Sequence, residues 1–209
     1  MIINILGCAG WMPSEGRETA SLMIRDKKTM LLLDAGTGIS NLKNFMNILP
    51  EYDIIHIILS HFHLDHTIGI SYLCKWFKDK KIVFYIPQKT NSGRKAELVL
   101  YDLINRESFV HRLDDIASSV EIIEYSECIP FKVGDLLLKT KSQIHSSPCF
   151  AVKINDLVCY ATDTIADQST FKWACNVQLM FHECWSEKKD NSGHSSFEEI
   201  FELSSYMNN

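Results

Sequence analysis

One short stretch of the sequence carries three of the eight histidines of the chain: Ser60-His61-Phe62-His63-Leu64-Asp65-His66. It directly follows an apolar run, Ile54–Leu59, which predicts a buried strand. His61 and His63 are two residues apart, so in an extended loop their side chains point to the same side. Asp65 and His66 follow at the turn into a predicted helix. Because neutral imidazole and carboxylate are preferred ligands of zinc, manganese and iron, the stretch predicts a metal site.

The composition is that of an ordinary globular protein. Of the 209 residues, 46% are hydrophobic, 22% charged and 11% aromatic. This length predicts a single domain, 1–209, with a core that needs no disulfide or metal for stability. Collagen, coiled coil, low-complexity disorder and a membrane span are excluded by composition and patterning. The net charge of −5 argues against a surface that is basic throughout and binds nucleic acid.

The N-terminus and the cysteines indicate the compartment. Residues 1–7 have no basic region and only a short apolar stretch, so they predict a first strand and not a signal peptide. The seven cysteines are odd in number and form no Cys-x-x-Cys pair. Since most lie in apolar runs, we interpret them as small core residues of a protein in a reducing cytoplasm.

Strands and helices alternate along the whole chain. Apolar runs and turn residues predict strands at 2–6, 20–25, 29–34, 53–60, 82–86, 120–125, 131–139, 150–154, 158–161 and 177–182. Helical spacing or composition predicts helices at 40–49, 67–78, 92–104 and 196–206. Each half of the chain carries strands followed by helices, which is typical of an α/β fold with two sheets and helices outside.

The histidine stretch resembles the hallmark His-x-His-x-Asp-His of the metallo-β-lactamase superfamily of metal-dependent hydrolases. The resemblance implies an αβ/βα sandwich, in which two sheets pack together with helices on the outer faces. It also implies a dinuclear metal site at one edge of that sandwich. His61 and His63 would bind one metal, and Asp65 and His66 would bind the other.

The same resemblance implies two further ligands from later strand ends. His145 comes after the predicted strand 131–139, and Asp163 ends the strand that begins at Leu157. Asp163 would bridge the metals, although it stands in Thr-Asp-Thr where the family form is Gly-Asp-Thr. A surface position for His145 and a turn cap for Asp163 are the alternatives. The cofactors implied are two divalent ions, Zn²⁺ first and Mn²⁺ second, with a metal-bound hydroxide as nucleophile.

The C-terminal region resembles the ribonuclease Z branch, the tRNA 3′-processing endonucleases. His182-Glu183-Cys184-Trp185 stands where that branch has His-Glu-Ala-Thr, and His194-Ser195-Ser196 where it has His-Ser-Thr. The resemblance implies that His194 protonates the leaving oxygen or stabilises the transition state, and that Glu183 holds His194, with Asp65 as the third catalytic residue. A helix cap at Ser195 or Ser196, completed by Glu198 or Glu199, is compatible with this role.

The sequence departs from that branch in two places. The branch carries one more His ligand on a strand after the last helix, whereas this sequence stops at Asn209. The alternatives are that His194 replaces this ligand, that water replaces it, or that the second metal site is weak or empty. A sheet edge would also stay uncovered, so we expect either a homodimer that covers it or a protein less stable than its relatives. The segment 87–114 is short and of mixed charge, with none of the long arm that grips tRNA.

Three functions follow as hypotheses. The first is a dinuclear-metal phosphodiesterase or nuclease that resembles ribonuclease Z, acts on a small phosphodiester or on RNA, and has no membrane partner. The second is a lactonase, thioesterase or β-lactamase-like hydrolase, because this fold does not decide the function. The third is a non-catalytic member of the fold whose site has decayed.

Overall fold

The structure is a computed structural model that describes residues 1–208. It contains two compact units. The first unit comprises Met1–Tyr125 and Val133–Asp135. The second comprises Ser126–Lys132 and the residues from Leu136 onward. The single domain over 1–209 stays a prediction, and Asn209 lies outside the described residues.

The first unit is built on a six-stranded sheet with the order β1-β2-β3-β4-β5-β6. The strands are β1 Ile2–Gly7, β2 Ser21–Asp26, β3 Thr29–Leu33, β4 Ile54–Ile58, β5 Lys81–Pro87 and β6 Ser119–Tyr125. The pairs β1–β2 and β2–β3 are antiparallel, and β3–β4, β4–β5 and β5–β6 are parallel. Every residue of β3 is buried, and β5 is buried from Ile82 onward. This is why these parallel strands have continuous apolar sequences.

Short helices connect the strands of this unit. The α-helices are α1 Cys74–Phe77 and α2 Ala96–Leu103, and the 3-10 helices are Thr37–Phe45, Leu49–Glu51, Leu64–His66, Ile68–Tyr72 and Leu113–Asp115. The predicted helices at 40–49 and 67–78 are therefore largely 3-10 turns. In the second of these, the Thr67 and Ser71 hydroxyls donate to backbone carbonyls three and four residues earlier. Such side-chain bonds compete with the regular α-helical pattern.

The second unit contains a five-stranded sheet with the order β11-β10-β9-β8-β7. The strands are β7 Phe131–Val133, β8 Leu136–Ser142, β9 Phe150–Ile154, β10 Val158–Ala161 and β11 Leu179–His182. The pairs β8–β9 and β9–β10 are antiparallel, and β10–β11 is parallel. The single strand predicted at 131–139 is two strands, because Gly134 adopts a φ of 55° at the turn between them.

Two helices accompany this sheet. The C-terminal helix α4, Phe197–Ser204, continues as a 3-10 turn over Ser205–Asn208 and agrees with the prediction. Helix α3, Gln168–Trp173, was not predicted. Its start is determined by Asp167, whose carboxylate accepts the backbone N–H groups of Ser169 and Thr170. This N-cap is a signal that the sequence contained.

The cysteines correct one expectation. All seven are free thiols, but only Cys149 and Cys159 are buried, and Cys8, Cys128 and Cys184 are exposed. The interpretation of most of them as core residues is therefore wrong. Burial raises the pKa of Cys159 to about 12, so this thiol stays protonated and packs as a small apolar group. Among the described residues, no helix has the length and apolar character needed to cross a membrane.

Candidate metal centre

The first group of candidate ligands is the histidine loop, which we define as residues 60–66. The loop follows β4, beside the end of β3, at the edge of the sheet where the parallel strands terminate. His61 and His66 are buried, and His63 is half-buried. The ligating atoms of His61 and His63 lie within 4.8 Å of each other. Nε2 of His66 lies 3.5 Å from a carboxylate oxygen of Asp65.

A buried carboxylate that the sequence analysis missed organises this loop. Asp34 follows β3, is 0% exposed and has a φ of 56°. Its carboxylate accepts the backbone N–H of Ser60 at 2.6 Å and the Ser60 hydroxyl at 2.8 Å. Nδ1 of His66 lies 2.8 Å from the same oxygen that accepts the hydroxyl. An aspartate at the end of a buried apolar strand, directly before a glycine-rich loop, was the available signal.

These bonds determine which nitrogen of each ring carries the proton. Because His66 Nδ1 faces the Asp34 carboxylate, Nδ1 is the N–H donor. The Ser60 hydroxyl donates its one hydrogen to Asp34. The oxygen of this hydroxyl lies 2.9 Å from Nδ1 of His61, so it accepts a hydrogen bond from that nitrogen. In both rings the lone pair is then on Nε2. Partners that orient imidazoles in this way are typical of metal-binding histidines.

Asp65 is held by contacts from elsewhere in the first unit. Its carboxylate accepts the backbone N–H of Trp11 at 2.8 Å, and its carbonyl oxygen accepts the Thr19 hydroxyl at 2.7 Å. A Cβ on Gly36 would overlap the Asp65 carbonyl, so only glycine allows this approach. Trp11, also missed from the sequence, has a φ of 58° that is costly for a bulky residue.

The second group of candidate residues is the strand-end group, which we define as His145, Asp163, Glu183 and His194. His145 follows β8, and Asp163 follows β10. Nε2 of His145 lies 3.7 Å from the Asp163 carboxylate, and the His145 side chain is only 5% exposed. A surface position for His145 is therefore excluded. Asp163 has a φ of 44°.

Glu183 joins two parts of the strand-end group. Its Oε1 accepts the backbone N–H of Thr164 at 2.6 Å and lies 2.9 Å from Nδ1 of His194. Burial is the main cause that raises the pKa of Glu183. Nδ1 of the neighbouring His182 lies 2.7 Å from the Glu183 carbonyl oxygen, and the His182 ring stacks on the ring of Phe171. Burial lowers the pKa of His182, which favours a neutral ring.

Backbone and helix contacts position the segment around His194. The Ser195 hydroxyl donates to the Thr164 carbonyl at 2.6 Å, so both backbone polar groups of Thr164 are bound. Ser196 caps α4 in a capping box with Glu199, as the sequence predicted. His194 therefore lies between a strand end and a helix start, and its ring is 23% exposed.

The two sheets and these ligand types are those of a metallo-β-lactamase-fold protein, and structural comparison confirms the predicted fold. A crystal structure of the metallo-β-lactamase fold protein YhfI from Bacillus subtilis matches with a TM-score of 0.78 over 97% of this chain and 79% of that one, at 21% identity. Human tRNase Z, short form (ELAC1), matches with a TM-score of 0.69 over 98% and 88%, at 14% identity.

Sequence comparison identifies the family. Residues 2–209 match the family described as anti-Pycsar protein Apyc1, and the chain belongs to that family. The probable metallo-hydrolase YhfI of Bacillus subtilis (strain 168) is 22% identical over 88% of this chain and 72% of the relative. Ribonuclease Z of Clostridium tetani is 27% identical over 73% of this chain. The chain is thus related to hydrolases of this superfamily, and the predicted ribonuclease Z-like resemblance is confirmed.

Every predicted site residue belongs to one of these two groups. The histidine loop contains His61, His63, Asp65 and His66, and the strand-end group contains His145, Asp163, Glu183 and His194. Their roles as ligands and catalysts stay predictions. The chain spans about half the length of the ribonuclease Z relatives it matches, so the activity of those proteins is carried over only as a proposal.

Proposed function

We propose that this protein is a metal-dependent phosphodiesterase whose two candidate groups together hold two divalent cations. In this proposal His61, His63 and His145 would hold one cation, and Asp65 and His66 would hold the other. Asp163 would be a ligand of both. Zn²⁺ is the first choice and Mn²⁺ the second, because both accept imidazole and carboxylate ligands.

The donor chemistry of the histidine loop fits such cations. Asp34 and Ser60 hold the rings of His66 and His61 through Nδ1, so each ring offers the lone pair of Nε2. A buried aspartate behind a histidine is the usual support of a metal ligand. When bound, the cations would supply Lewis acidity and a water of lowered pKa.

Hydrolysis of a phosphodiester adds the oxygen of one water to phosphorus and breaks one P–O ester bond. The leaving oxygen then needs a proton. His194 is suited to supply it, because its ring is partly exposed and Glu183 holds Nδ1 at 2.9 Å, which leaves Nε2 on the side of the ring away from Glu183. A carboxylate in this position also fixes the orientation of the ring that gives the proton.

One observation carries this proposal, namely that the Glu183 carboxylate binds both His194 and the backbone next to Asp163. A proton donor is thereby fixed beside a candidate metal ligand. The sequence similarity to proteins named ribonuclease Z also supports phosphodiester hydrolysis. The net charge of −5 favours a small phosphodiester over tRNA.

The test begins with metal analysis of the purified protein, followed by assays with added Zn²⁺ or Mn²⁺. We expect close to two metal ions per chain and hydrolysis of methyl p-nitrophenyl phosphate that EDTA abolishes and metal restores. A precursor tRNA with a 3′ trailer should be a poorer substrate. Turnover of a lactone or thioester panel without phosphodiester hydrolysis would contradict the proposal. A folded protein that binds no metal would instead indicate a non-catalytic member of the fold.

A further inference from the structure

The connection between β1 and β2 contains a loop that reaches a candidate metal ligand. We call it the Trp11 loop and define it as residues 8–17. Its start is bound to the residue that follows it, because the backbone N–H of Cys8 donates to the Glu18 carbonyl at 2.9 Å. Its middle is bound elsewhere, since the backbone N–H of Trp11 donates to a carboxylate oxygen of Asp65 at 2.8 Å. The loop is therefore joined to a residue 54 positions away in the sequence.

The backbone of Trp11 has an unfavourable conformation. Its φ is 58°, and the N–H of Met12 donates to the Gly10 carbonyl at 2.6 Å across it. Such a bond around a residue of positive φ is the pattern of the rare and strained type of γ-turn. Packing of the indole does not explain the turn, because Trp11 is 74% exposed. The bond to Asp65 is the contact that this conformation provides.

The accepting oxygen of Asp65 is the one that lies beside His66. Oδ2 of Asp65 accepts the Trp11 N–H, and the same oxygen lies 3.5 Å from Nε2 of His66. Nε2 carries the lone pair of that ring, because Nδ1 donates to Asp34. A carboxylate oxygen has more than one lone pair, so Oδ2 can accept the N–H and still offer a lone pair on the side of His66. The bond therefore fixes the rotation of the carboxylate relative to the His66 ring.

A second bond holds the backbone of Asp65 from the same part of the chain. The Thr19 hydroxyl donates to the Asp65 carbonyl at 2.7 Å, and Thr19 lies two residues beyond the Trp11 loop. Both the backbone and the side chain of Asp65 are thus bound by the connection between β1 and β2. Of the two bonds, the one from Trp11 bears on the carboxylate, which is the part of Asp65 that would contact a cation.

We propose that Trp11 is a positioning residue whose strained turn holds the Asp65 carboxylate in the orientation that metal binding needs. The inference rests on the proposed function, in which Asp65 and His66 would hold one cation. Coupling between two binding events is reciprocal, so a cation that needs this orientation also stabilises the bonded form of the Trp11 loop. The backbone N–H of Trp11 is the active part of the residue, and the indole is not needed for it.

Three substitutions at Trp11 separate the parts of this inference. Trp11→Ala keeps the N–H, so its affinity for the cation at Asp65 should stay close to that of the wild type. Trp11→Gly also removes the cost of a positive φ and should bind this cation about threefold more tightly. Trp11→Pro lacks the N–H and has a φ of about −65°, so its affinity should fall about 10- to 100-fold. Competition between the metal-free protein and a Zn²⁺-binding dye measures both cations.

Glu15→Pro is the matched control, because it places a proline in the same loop and leaves the Trp11 N–H in place. Glu15 is the second residue of the turn Ser14–Arg17, whose end residues exchange backbone bonds at 2.9 Å. Gly16 follows it with a φ of 71°. Proline is favoured at this position of such a turn. Glu15→Pro should therefore bind both cations as the wild type does.

The pattern of loss separates this inference from the proposed function. A wild-type protein that binds no cation would contradict the proposed function. If the wild type binds two cations and Trp11→Pro binds both equally well, the inference alone is overturned. Equal losses in Trp11→Ala and Trp11→Pro would also overturn it, because the indole and not the N–H would then hold the site. The expected loss is confined to one cation, since His61, His63 and His145 would hold the other.

Hydrogen exchange of the wild-type protein provides a second readout that needs neither turnover nor a variant. Zn²⁺ should slow amide exchange in residues 8–17 about fivefold or more, because metal binding stabilises the bonded loop. Residues 91–95, an exposed segment of the same unit, should exchange equally with and without Zn²⁺. If residues 8–17 also exchange equally in a protein that binds two cations, the inference is overturned, even where Trp11→Pro does not fold.

Discussion

The histidine loop and the strand-end group have the same types of side chain but are assembled in different ways. The loop takes its candidate ligands from seven consecutive residues, 60–66, and they are oriented by a network centred on Asp34. The strand-end group takes its residues from separate segments after β8, β10 and β11. There, Glu183 accepts the backbone N–H of Thr164 and lies 2.9 Å from Nδ1 of His194.

This difference indicates a division of labour. The histidine loop has two buried rings, those of His61 and His66, and several supporting bonds, as suits ligands that must keep one geometry. In the strand-end group, the His194 ring is partly exposed and its Nδ1 lies against the Glu183 carboxylate, as suits a residue that meets substrate and moves a proton. If this is correct, changes in the loop should affect metal content, and changes at Glu183 or His194 should affect turnover.

The largest effect is expected from removing a ligand of the histidine loop. Asp65→Ala or His63→Ala should lower kcat/KM by more than about 1,000-fold, because about 4 kcal/mol of transition-state stabilisation depends on the metals. Metal analysis should show fewer ions per chain. His111→Ala is the control, since His111 is half-buried beside Phe109 and outside both groups. Full metal content in Asp65→Ala would contradict its role as a ligand.

The next effect concerns the support of the loop. Asp34→Ala leaves the Ser60 N–H, the Ser60 hydroxyl and the His66 ring without their buried acceptor. We expect a loss of about 3 kcal/mol in the free energy of unfolding and a 10- to 100-fold loss, as an order of magnitude, in metal affinity. Urea denaturation and metal titration measure these two quantities.

Asp34→Asn is the matched variant for this experiment. Its amide oxygen can still accept the Ser60 N–H, but its amide nitrogen cannot accept from His66. Compared with Asp34→Ala, Asp34→Asn should therefore recover more of the lost free energy of unfolding than of the lost metal affinity. Equal recovery of both would show that Asp34 has only a structural role.

A smaller effect, confined to turnover, is expected in the strand-end group. His194→Ala should lower kcat about 100-fold or more while metal content changes little, because general acid catalysis is lost. Glu183→Gln should also lower kcat, since the neutral amide stabilises the imidazolium less. Loss of one metal ion in His194→Ala would instead identify His194 as a ligand that completes the second site.

The smallest effect is expected at the cap of α4. Ser196→Ala removes the side chain that accepts the Glu199 N–H, so the free energy of unfolding should fall by about 1 kcal/mol. Ser204→Ala is the control, because its exposed hydroxyl donates only to a carbonyl near the helix end. An equal change in both variants would show that the capping box does not stabilise this helix.

Sequence-based prediction succeeded where the deciding interactions join neighbouring residues, and it was less complete where they join residues distant in sequence. Strands β9 and β10 were predicted with their observed bounds, because an alternating or apolar run and a turn at Asn155-Asp156 are local signals. A helix was predicted at 67–78, and much of it is 3-10 turn, where side chains bond to the backbone of the same segment. Asp34 was assigned only to a strand. Its place before the glycine-rich loop was a local signal, but its bond to His66 joins residues distant in sequence and is not visible locally.

The sequence by itself determined which candidate ligands the histidine loop offers, because ligand types and their spacing within residues 60–66 are local properties of the chain. It also indicated the fold class, since the period of apolar residues follows secondary structure. Only the tertiary structure decided how those ligands are oriented. Asp34, Trp11 and Glu183 act through bonds to residues distant in sequence, and such contacts exist only once the chain has folded. The same holds for Trp185, whose stacking on His194 depends on how the strand end and the helix start are brought together.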